Sequence, residues 1–214
     1  MAGERSQKRV KDKWKEKKWY NIMAPNQLGG KEIGMTPGNG PEDIVGRVIE
    51  IPISDFTGNF KRSNAKINFK VVDCTGMKCS TLFIGHSVND DYIRRMVRRR
   101  KERIDIVLNV KTTDNYTFTV KIVAITDGKL TSAKRVELRN AILNMVVERT
   151  KNMDYFEFAR YVMADESIND ILTGVKDVYP LKKLEFRKSE LVDTGEKYNF
   201  SVPETPSEPE PLQQ

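Results

Sequence analysis

The middle of the chain, between residues 44 and 125, contains five stretches patterned like β-strands, and they constrain the fold more than any other feature. These stretches are residues 44–53, 64–73, 77–84, 104–111 and 116–125. The last one alternates between apolar and polar side chains, which predicts one face against a core and one face in water. The short connections at Thr75-Gly76 and at residues 112–115 are typical of hairpins. We therefore expect antiparallel strand pairing.

Helical periodicity replaces this pattern toward the C-terminus. It predicts helices over residues 132–150, 153–164 and 167–179, the last one stopped by Pro180, before residues 181–192 return to strand-like alternation. A further helix is predicted over residues 88–104, starting at Asn89 and Asp90. The fold class expected is α+β, with an antiparallel β-barrel-like core flanked by α-helices, because closure of a small sheet removes exposed strand edges.

Composition divides the chain into three parts. Residues 1–25 form a basic N-terminal extension, residues 26–200 a single folded domain, and residues 201–214 an acidic, proline-rich tail that we expect to be disordered. Within the domain, residues 26–43 are rich in glycine and proline and are interpreted as an irregular loop.

Positive charge is concentrated in two clusters, and it points to a polyanionic partner. The chain carries a net charge of +7, whereas residues 1–19 alone carry +5 and residues 94–103 carry +6. No run approaches the roughly 20 apolar residues of a membrane-spanning helix, and no signal peptide is evident, so we expect a cytoplasmic protein without a membrane partner. Nucleic acid is the polyanion that remains.

Both clusters are candidate RNA-binding surfaces. Lysines attract phosphates without regard to sequence, arginines bind them bidentately, and aromatic rings stack on bases. The alternatives are a solvated charged helix face for the second cluster, and a loose tail whose aromatic residues cover a strand edge for the first. The candidate residues are Lys8, Arg9, Lys11, Lys13, Trp14, Lys15, Lys17, Lys18, Trp19 and Tyr20 in the first cluster, and Arg94, Arg95, Arg98, Arg99, Arg100, Lys101 and Arg103 in the second. Trp19 and Tyr20 are expected to anchor the first cluster to the domain.

Catalytic and metal-binding motifs are weak by comparison. Cys74 and Cys79 have a spacing that zinc sites use, but His86 is the only histidine, which leaves a ligand short. We interpret the cysteines as buried hairpin residues and expect no disulfide framework, as in a reducing compartment. His86 near Ser87 lacks a separate base and a complete nucleophile elbow, and no phosphate-binding glycine motif occurs. No catalytic residue, metal or cofactor is predicted.

Several separated segments together resemble one known family. KKWYNIMAP, GRVIEI, FKVVD followed by GMKCSTLFIGH, VKTTDNYTFTVKIVAIT and VYPLKKLEFRK occur in order between Lys11 and Lys188. They resemble the S3Ae family of small-subunit ribosomal proteins, also called eS1, in its archaeal form. The resemblance implies a central β-barrel with helices around it, a position on the platform of the small subunit near the 3′ end of its rRNA and the mRNA exit, and no enzymatic activity.

The leading hypothesis is therefore a structural rRNA-binding constituent of the small ribosomal subunit, located on the ribosome in the cytoplasm. Its expected partners are small-subunit rRNA and neighbouring ribosomal proteins of the platform, with mRNA near the exit as a further candidate. The alternative is a free nucleic-acid-binding barrel that acts as a transient translation factor. An RNA-processing enzyme is a third class, which would require a titratable site that the sequence does not display.

Overall fold

The computed structural model of the protein describes Trp14 and residues 17–194, and these residues form eight β-strands and five α-helices. The strands are β1 (Lys18–Met23), β2 (Glu32–Gly38), β3 (Val48–Pro52), β4 (Ala65–Thr75), β5 (Lys78–Val88), β6 (Arg103–Lys111), β7 (Thr117–Thr126) and β8 (Leu181–Asp193). The helices are α1 (Ile53–Thr57), α2 (Asp90–Met96), α3 (Ser132–Thr150), α4 (Tyr155–Met163) and α5 (Asp165–Val175). The α+β class predicted from the sequence is confirmed.

One mixed sheet contains all of these strands. Its main path runs β2-β1-β5-β8-β7-β6, and β4 followed by β3 branches from β5. Every pairing is antiparallel except that of β1 with β5. One edge of β5 pairs with β4, while the other edge pairs with β1 at residues 78–80 and with β8 at residues 85–87. β5 is thus the strand that joins the N-terminal, central and C-terminal parts of the fold.

The sheet is open, so the closed barrel expected from the sequence was wrong. Among the described strands, β2, β3 and β6 are outermost, and none of them pairs with another outermost strand. Helices cover part of the open sheet, since α3 contacts β6, α4 contacts β5 and α5 contacts β8. The apolar faces of these helices complete the core in place of further strand pairs. Among the described residues, none of the helices has the length and apolar character needed to cross a membrane.

Aromatic residues bridge the sheet and the helices in the main core. The ring centroid of Phe118 on β7 lies 4.5 Å from that of Phe158 on α4 and 6.2 Å from that of Phe83 on β5. All three side chains are fully buried, and so is Tyr155, whose hydroxyl donates to the backbone carbonyl of Phe83. The alternation predicted for β7 therefore faces a core made jointly by strands and helices.

The N-terminal part of the sheet corrects two sequence predictions. Residues 26–43 do not form only a loop, because they include β2, an edge strand that tolerates Pro37 since it pairs on one side alone. β3 is shorter than the predicted strand over residues 44–53, because residues 41–46 turn and carry Ile44 into a second core. That core joins Ile44 to Tyr20, Val71 and Cys79.

Candidate nucleic-acid interface

The second basic cluster lies on a short helix and a turn, and the single long helix predicted over residues 88–104 was wrong. Helix α2 ends at Met96, and residues 97–102 lead directly into β6. Arginines stacked on successive turns would repel each other along a longer helix, and no described acid lies close enough to offset all of them. The chain instead turns back, with a left-handed φ of 67° at Arg100.

Within this cluster the bases differ in whether they already have acidic partners. Arg94 pairs with Asp91 at 3.7 Å, Arg103 pairs with Asp105 at 2.8 Å, and Lys101 donates to Asp127. We name the three residues at the tip, Arg98, Arg99 and Arg100, the arginine turn. All three are exposed, and no described residue forms an ion pair or hydrogen bond with their side chains. The arginine turn and Arg95, whose side chain donates only to the backbone carbonyl of Asp91, are therefore the parts of the cluster whose cations are available to an external anion.

A groove of about 570 Å³ opens beside the arginine turn, between α2 and the start of β8. Its apolar lining includes Tyr92, Met96 and Ile125, and Asn64 closes one side. Four cationic side chains surround these residues, and no carboxylate lines the groove. They are Arg95, Arg98, Lys182 and Lys183. The two lysines belong to β8 and were not among the residues predicted from the sequence.

Tyr92 holds one of these lysines in place. The Nζ atom of Lys183 lies 2.7 Å from the Tyr92 hydroxyl, to which it donates, and 4.5 Å from the centroid of the tyrosine ring. The same hydroxyl donates to the carboxylate of Glu185 at 3.0 Å. Burial raises the pKa of Glu185 above its usual value, while the Tyr92 hydrogen bond acts in the opposite direction. The ammonium group of Lys183 is thus positioned before any ligand arrives.

The first basic cluster ends in the N-terminal strand β1. Tyr20 is buried and anchors β1, as predicted, but Trp19 points outward with 57% of its surface exposed, so its predicted anchoring role was wrong. Trp14 is also exposed, and the Nζ atom of Lys17 lies 4.3 Å from its ring centroid. Lys18 is exposed at the first position of β1. The remaining candidates lie outside the described residues, namely Lys8, Arg9, Lys11, Lys13 and Lys15.

The described part of the first cluster and the second cluster lie toward opposite ends of β5. β1 pairs with β5 at residues 78–80, whereas the chain enters α2 just after Val88. Ten residues of strand correspond to about 33 Å. A single nucleic acid would need to extend along the sheet to contact both Lys18 at the start of β1 and the second cluster.

A further set of bases on the sheet surface was missed by the sequence analysis. Lys66, Lys121, Arg187 and Lys188 line a polar cleft next to β8, and each is paired with a carboxylate. Lys188 and Lys121 both contact Glu190, and they hold the pKa of that carboxyl below its usual value. Within LKKLEFRK, Arg187 is the only base of this cleft that could have been predicted to face outward, because it alternates with the buried Leu184 and Phe186.

His86 is structural rather than catalytic in its surroundings. It is fully buried, and its Nε2 atom lies 2.8 Å from the backbone carbonyl oxygen of Phe186, so Nε2 carries the proton. Ser189 then donates to Nδ1 at 2.7 Å and accepts the backbone N–H of His86 at 3.1 Å. Burial lowers the pKa of His86 to about 4, so the ring is neutral near pH 7.

The two cysteines form a disulfide across the β4–β5 hairpin, which corrects the expectation of no disulfide. Cys74 and Cys79 are directly opposed in the hairpin register, and their sulfur atoms are bonded. Cys79 is buried as predicted, whereas Cys74 is half-buried. Among the described residues, no group of three or more potential ligands is arranged to hold a metal ion.

Comparison with known proteins places the chain in a family. A sequence profile described as the Ribosomal S3Ae family matches residues 5–195. The chain belongs to the Ribosomal S3Ae family. The resemblance noted in the sequence is thereby confirmed.

Archaeal members of the Ribosomal S3Ae family are similar to this chain over nearly its whole length. The small ribosomal subunit protein eS1 of Thermoplasma acidophilum is 53% identical over 192 residues, which cover 90% of this chain and 89% of the relative. The protein of that name from Thermoplasma volcanium has the same identity and coverage. The one from Desulfurococcus amylolyticus is 33% identical over 183 residues and 86% of each chain.

Proposed function

We propose that this protein is a structural rRNA-binding constituent of the small ribosomal subunit. The observation that carries the proposal is the arginine turn, whose three exposed arginines have no partner among the described residues. The relatives of this chain, named small ribosomal subunit protein eS1, support it as well. Arginine pairs with phosphate bidentately, and each phosphate contact releases condensed counterions. The role is neutralisation of phosphate repulsion, so that rRNA segments can pack, and it requires neither catalysis nor a cofactor.

The finer placement follows the family resemblance. We place the protein on the platform of the small subunit near the mRNA exit, in contact with rRNA, with neighbouring ribosomal proteins and with mRNA as it leaves. The candidate contacts are the arginine turn with Arg94, Arg95, Lys101 and Arg103, and the basic residues that precede and begin β1. Because Lys18 at the start of β1 and the arginine turn lie toward opposite ends of β5, these two positions would contact separate stretches of rRNA.

Binding of the full chain to small-subunit rRNA tests this function. Reversal of charge with Arg98→Glu and Arg99→Glu should weaken binding by at least tenfold at moderate salt and reduce incorporation into subunits. The control is Arg139→Glu with Lys176→Glu, which makes the same change of charge at exposed helix positions of α3 and just after α5. Equal binding by both double variants would contradict the proposed role of the arginine turn.

A transient translation factor is the alternative from a different functional class. It would use the same cations, but it would leave the subunit as salt rises, because its affinity would come mainly from counterion release. Retention of the protein on salt-washed subunits distinguishes a constituent from such a factor.

A further inference from the structure

We infer that the groove between α2 and β8 binds a single unstacked nucleotide of an RNA strand, with its base against Tyr92 and Met96 and its phosphates on the surrounding cations. This inference rests on the proposed function and specifies what one part of the interface recognises. It concerns the groove, which shares Arg98 with the arginine turn but is otherwise lined by residues outside the turn. The groove combines the two kinds of surface that a nucleotide presents, one apolar and planar and the other anionic.

The apolar side of the groove is suited to a base. Tyr92 and Met96 are half-buried, and Ile125 beneath them is almost completely buried. A polarizable thioether and an aromatic ring both make favourable contacts with flat π-systems. Binding of a phosphate alone does not require apolar side chains in the groove.

The cationic side of the groove is suited to phosphates. Arg95, Arg98, Lys182 and Lys183 surround the apolar residues without an intervening acid among the lining residues. Lys183 is fixed by its hydrogen bond to Tyr92, and Arg95 is fixed by donation from Nε to the backbone carbonyl of Asp91 at 3.2 Å. These hydrogen bonds orient the two side chains, which reduces the conformational entropy lost when a ligand binds.

The size of the groove favours one nucleotide over a duplex. Its volume of about 570 Å³ lies within the range of small-ligand sites, roughly 300–1,000 Å³. A double helix keeps its bases stacked and paired, and it could present only its backbone to this groove. Proteins that recognise single-stranded RNA instead accommodate splayed bases beside aromatic side chains. The groove therefore discriminates by base exposure rather than by phosphate charge.

The test compares two probes of equal charge on the full-length protein. Fluorescence anisotropy is measured with a labelled single-stranded RNA hexamer and with a hexamer of abasic ribonucleotides, which retains every phosphate. We expect the intact hexamer to bind at least fivefold more tightly. Met96→Ala should bring this ratio close to one, whereas Lys182→Ala should weaken both probes by similar factors. Arg139→Ala is the matched surface control and should change neither affinity.

Crosslinking locates the base independently of affinity. A hexamer containing 4-thiouridine should crosslink to Tyr92 or Met96, as identified by mass spectrometry. Equal affinity for the two hexamers, or a base preference that survives Met96→Ala, would overturn the inference, because the groove would then hold phosphate alone or the base would lie at another surface such as Trp19.

Binding to intact small-subunit rRNA separates this inference from the proposed function. If the protein binds the rRNA tightly but does not discriminate between the hexamers, only the nucleotide groove is rejected. If it binds neither the rRNA nor the hexamers, both the nucleotide groove and the proposed function are rejected.

Discussion

The hydroxyl oxygen of Ser189 on β8 lies 2.7 Å from the Nδ1 atom of His86 on β5, inside a pairing that joins the two halves of the sheet. The pair is fully buried, and Ser189 at Nδ1 together with the Phe186 carbonyl at Nε2 satisfies both ring nitrogens without any charge. This neutral hydrogen-bonded arrangement makes the stability of the protein sensitive to mild acid.

The free energy of unfolding should fall as pH decreases from about 6.5 to about 4. The folded-state pKa of His86 is lowered to about 4 from an ordinary value of 6.5, so the unfolded chain takes up a proton first. The stability contributed at neutral pH is therefore lost as pH falls through this window, by up to about 3 kcal/mol. Urea unfolding at several pH values measures the effect.

His86→Gln is the control for this pH dependence, because the amide can still donate to the carbonyl of Phe186 but does not titrate. The difference in unfolding free energy between the wild-type protein and the variant should shrink toward pH 4. Comparison of the two proteins also removes the contribution of Glu185, whose raised pKa acts with the opposite sign. A difference that stays constant with pH would contradict the assignment to His86.

Gly85→Ala should destabilise the sheet where β5 and β8 meet. A Cβ atom at this position would lie 2.0 Å from the backbone oxygen of Ser189, so the two strands would have to separate. We expect a loss of about 1–3 kcal/mol or more, as for other insertions into tightly packed regions. Gly46→Ala is the matched control, since Gly46 also has a positive φ but nothing lies within 4 Å of its added Cβ. Similar unfolding midpoints in urea for both variants would contradict the close approach of β8.

Tyr20 and Trp19 should respond differently to truncation although they are adjacent. Tyr20 is buried in the second core, so Tyr20→Ala should cost about 3 kcal/mol of unfolding free energy. Trp19 is 57% exposed, so Trp19→Ala should change stability by no more than about 0.5 kcal/mol. Denaturant unfolding of both variants measures this contrast, and equal losses would show that Trp19 also anchors β1.

Replacement of arginines in the turn should change the salt dependence of rRNA binding. For Arg98→Gln with Arg99→Gln, the slope of log K against log salt should become shallower by about 1.5–2, because two phosphate contacts are lost. Arg139→Gln with Lys176→Gln removes the same charge from exposed helix positions and should leave the slope nearly unchanged. Filter binding at several salt concentrations measures it, and identical slopes for the two double variants would exclude direct phosphate contacts by the turn.

Local periodicity was sufficient to predict much of the fold. The predicted helix over residues 132–150 has the observed bounds of α3, and the predicted strand over residues 181–192 is β8 within one residue. Both segments satisfy their patterns locally, since Leu138, Ile142 and Val146 lie on one buried helical face. Strand and helix identity in such segments does not depend on distant partners.

Features that depend on distant partners were missed. β2 is rich in glycine and proline and is a strand only because β1 pairs with it, while β1 in turn depends on β5. α2 is shorter than predicted for two reasons. Its arginines would repel one another in a longer helix, and β6 begins at Arg103. The disulfide depends on the hairpin register, because a turn at Gly76-Met77 places Cys74 opposite Cys79, whereas the turn predicted at Thr75-Gly76 does not.

The sequence predicted the positive charge of the candidate site but not the groove beside it. The arginine turn was visible as a basic run, whereas the groove combines Tyr92, Met96, Ile125 and Lys183 from three separate parts of the chain. No sequence pattern links these positions, because the contact between α2 and β8 arises only when the sheet assembles.

Cofractionation with the small subunit tests the central claim most directly. Native extract is separated on sucrose gradients at low and at roughly molar salt, and the protein is quantified against small-subunit rRNA. The account predicts close to one copy per subunit at both salt concentrations. Migration of the protein to the top of the gradient at high salt would contradict a structural constituent and would support a transient factor instead.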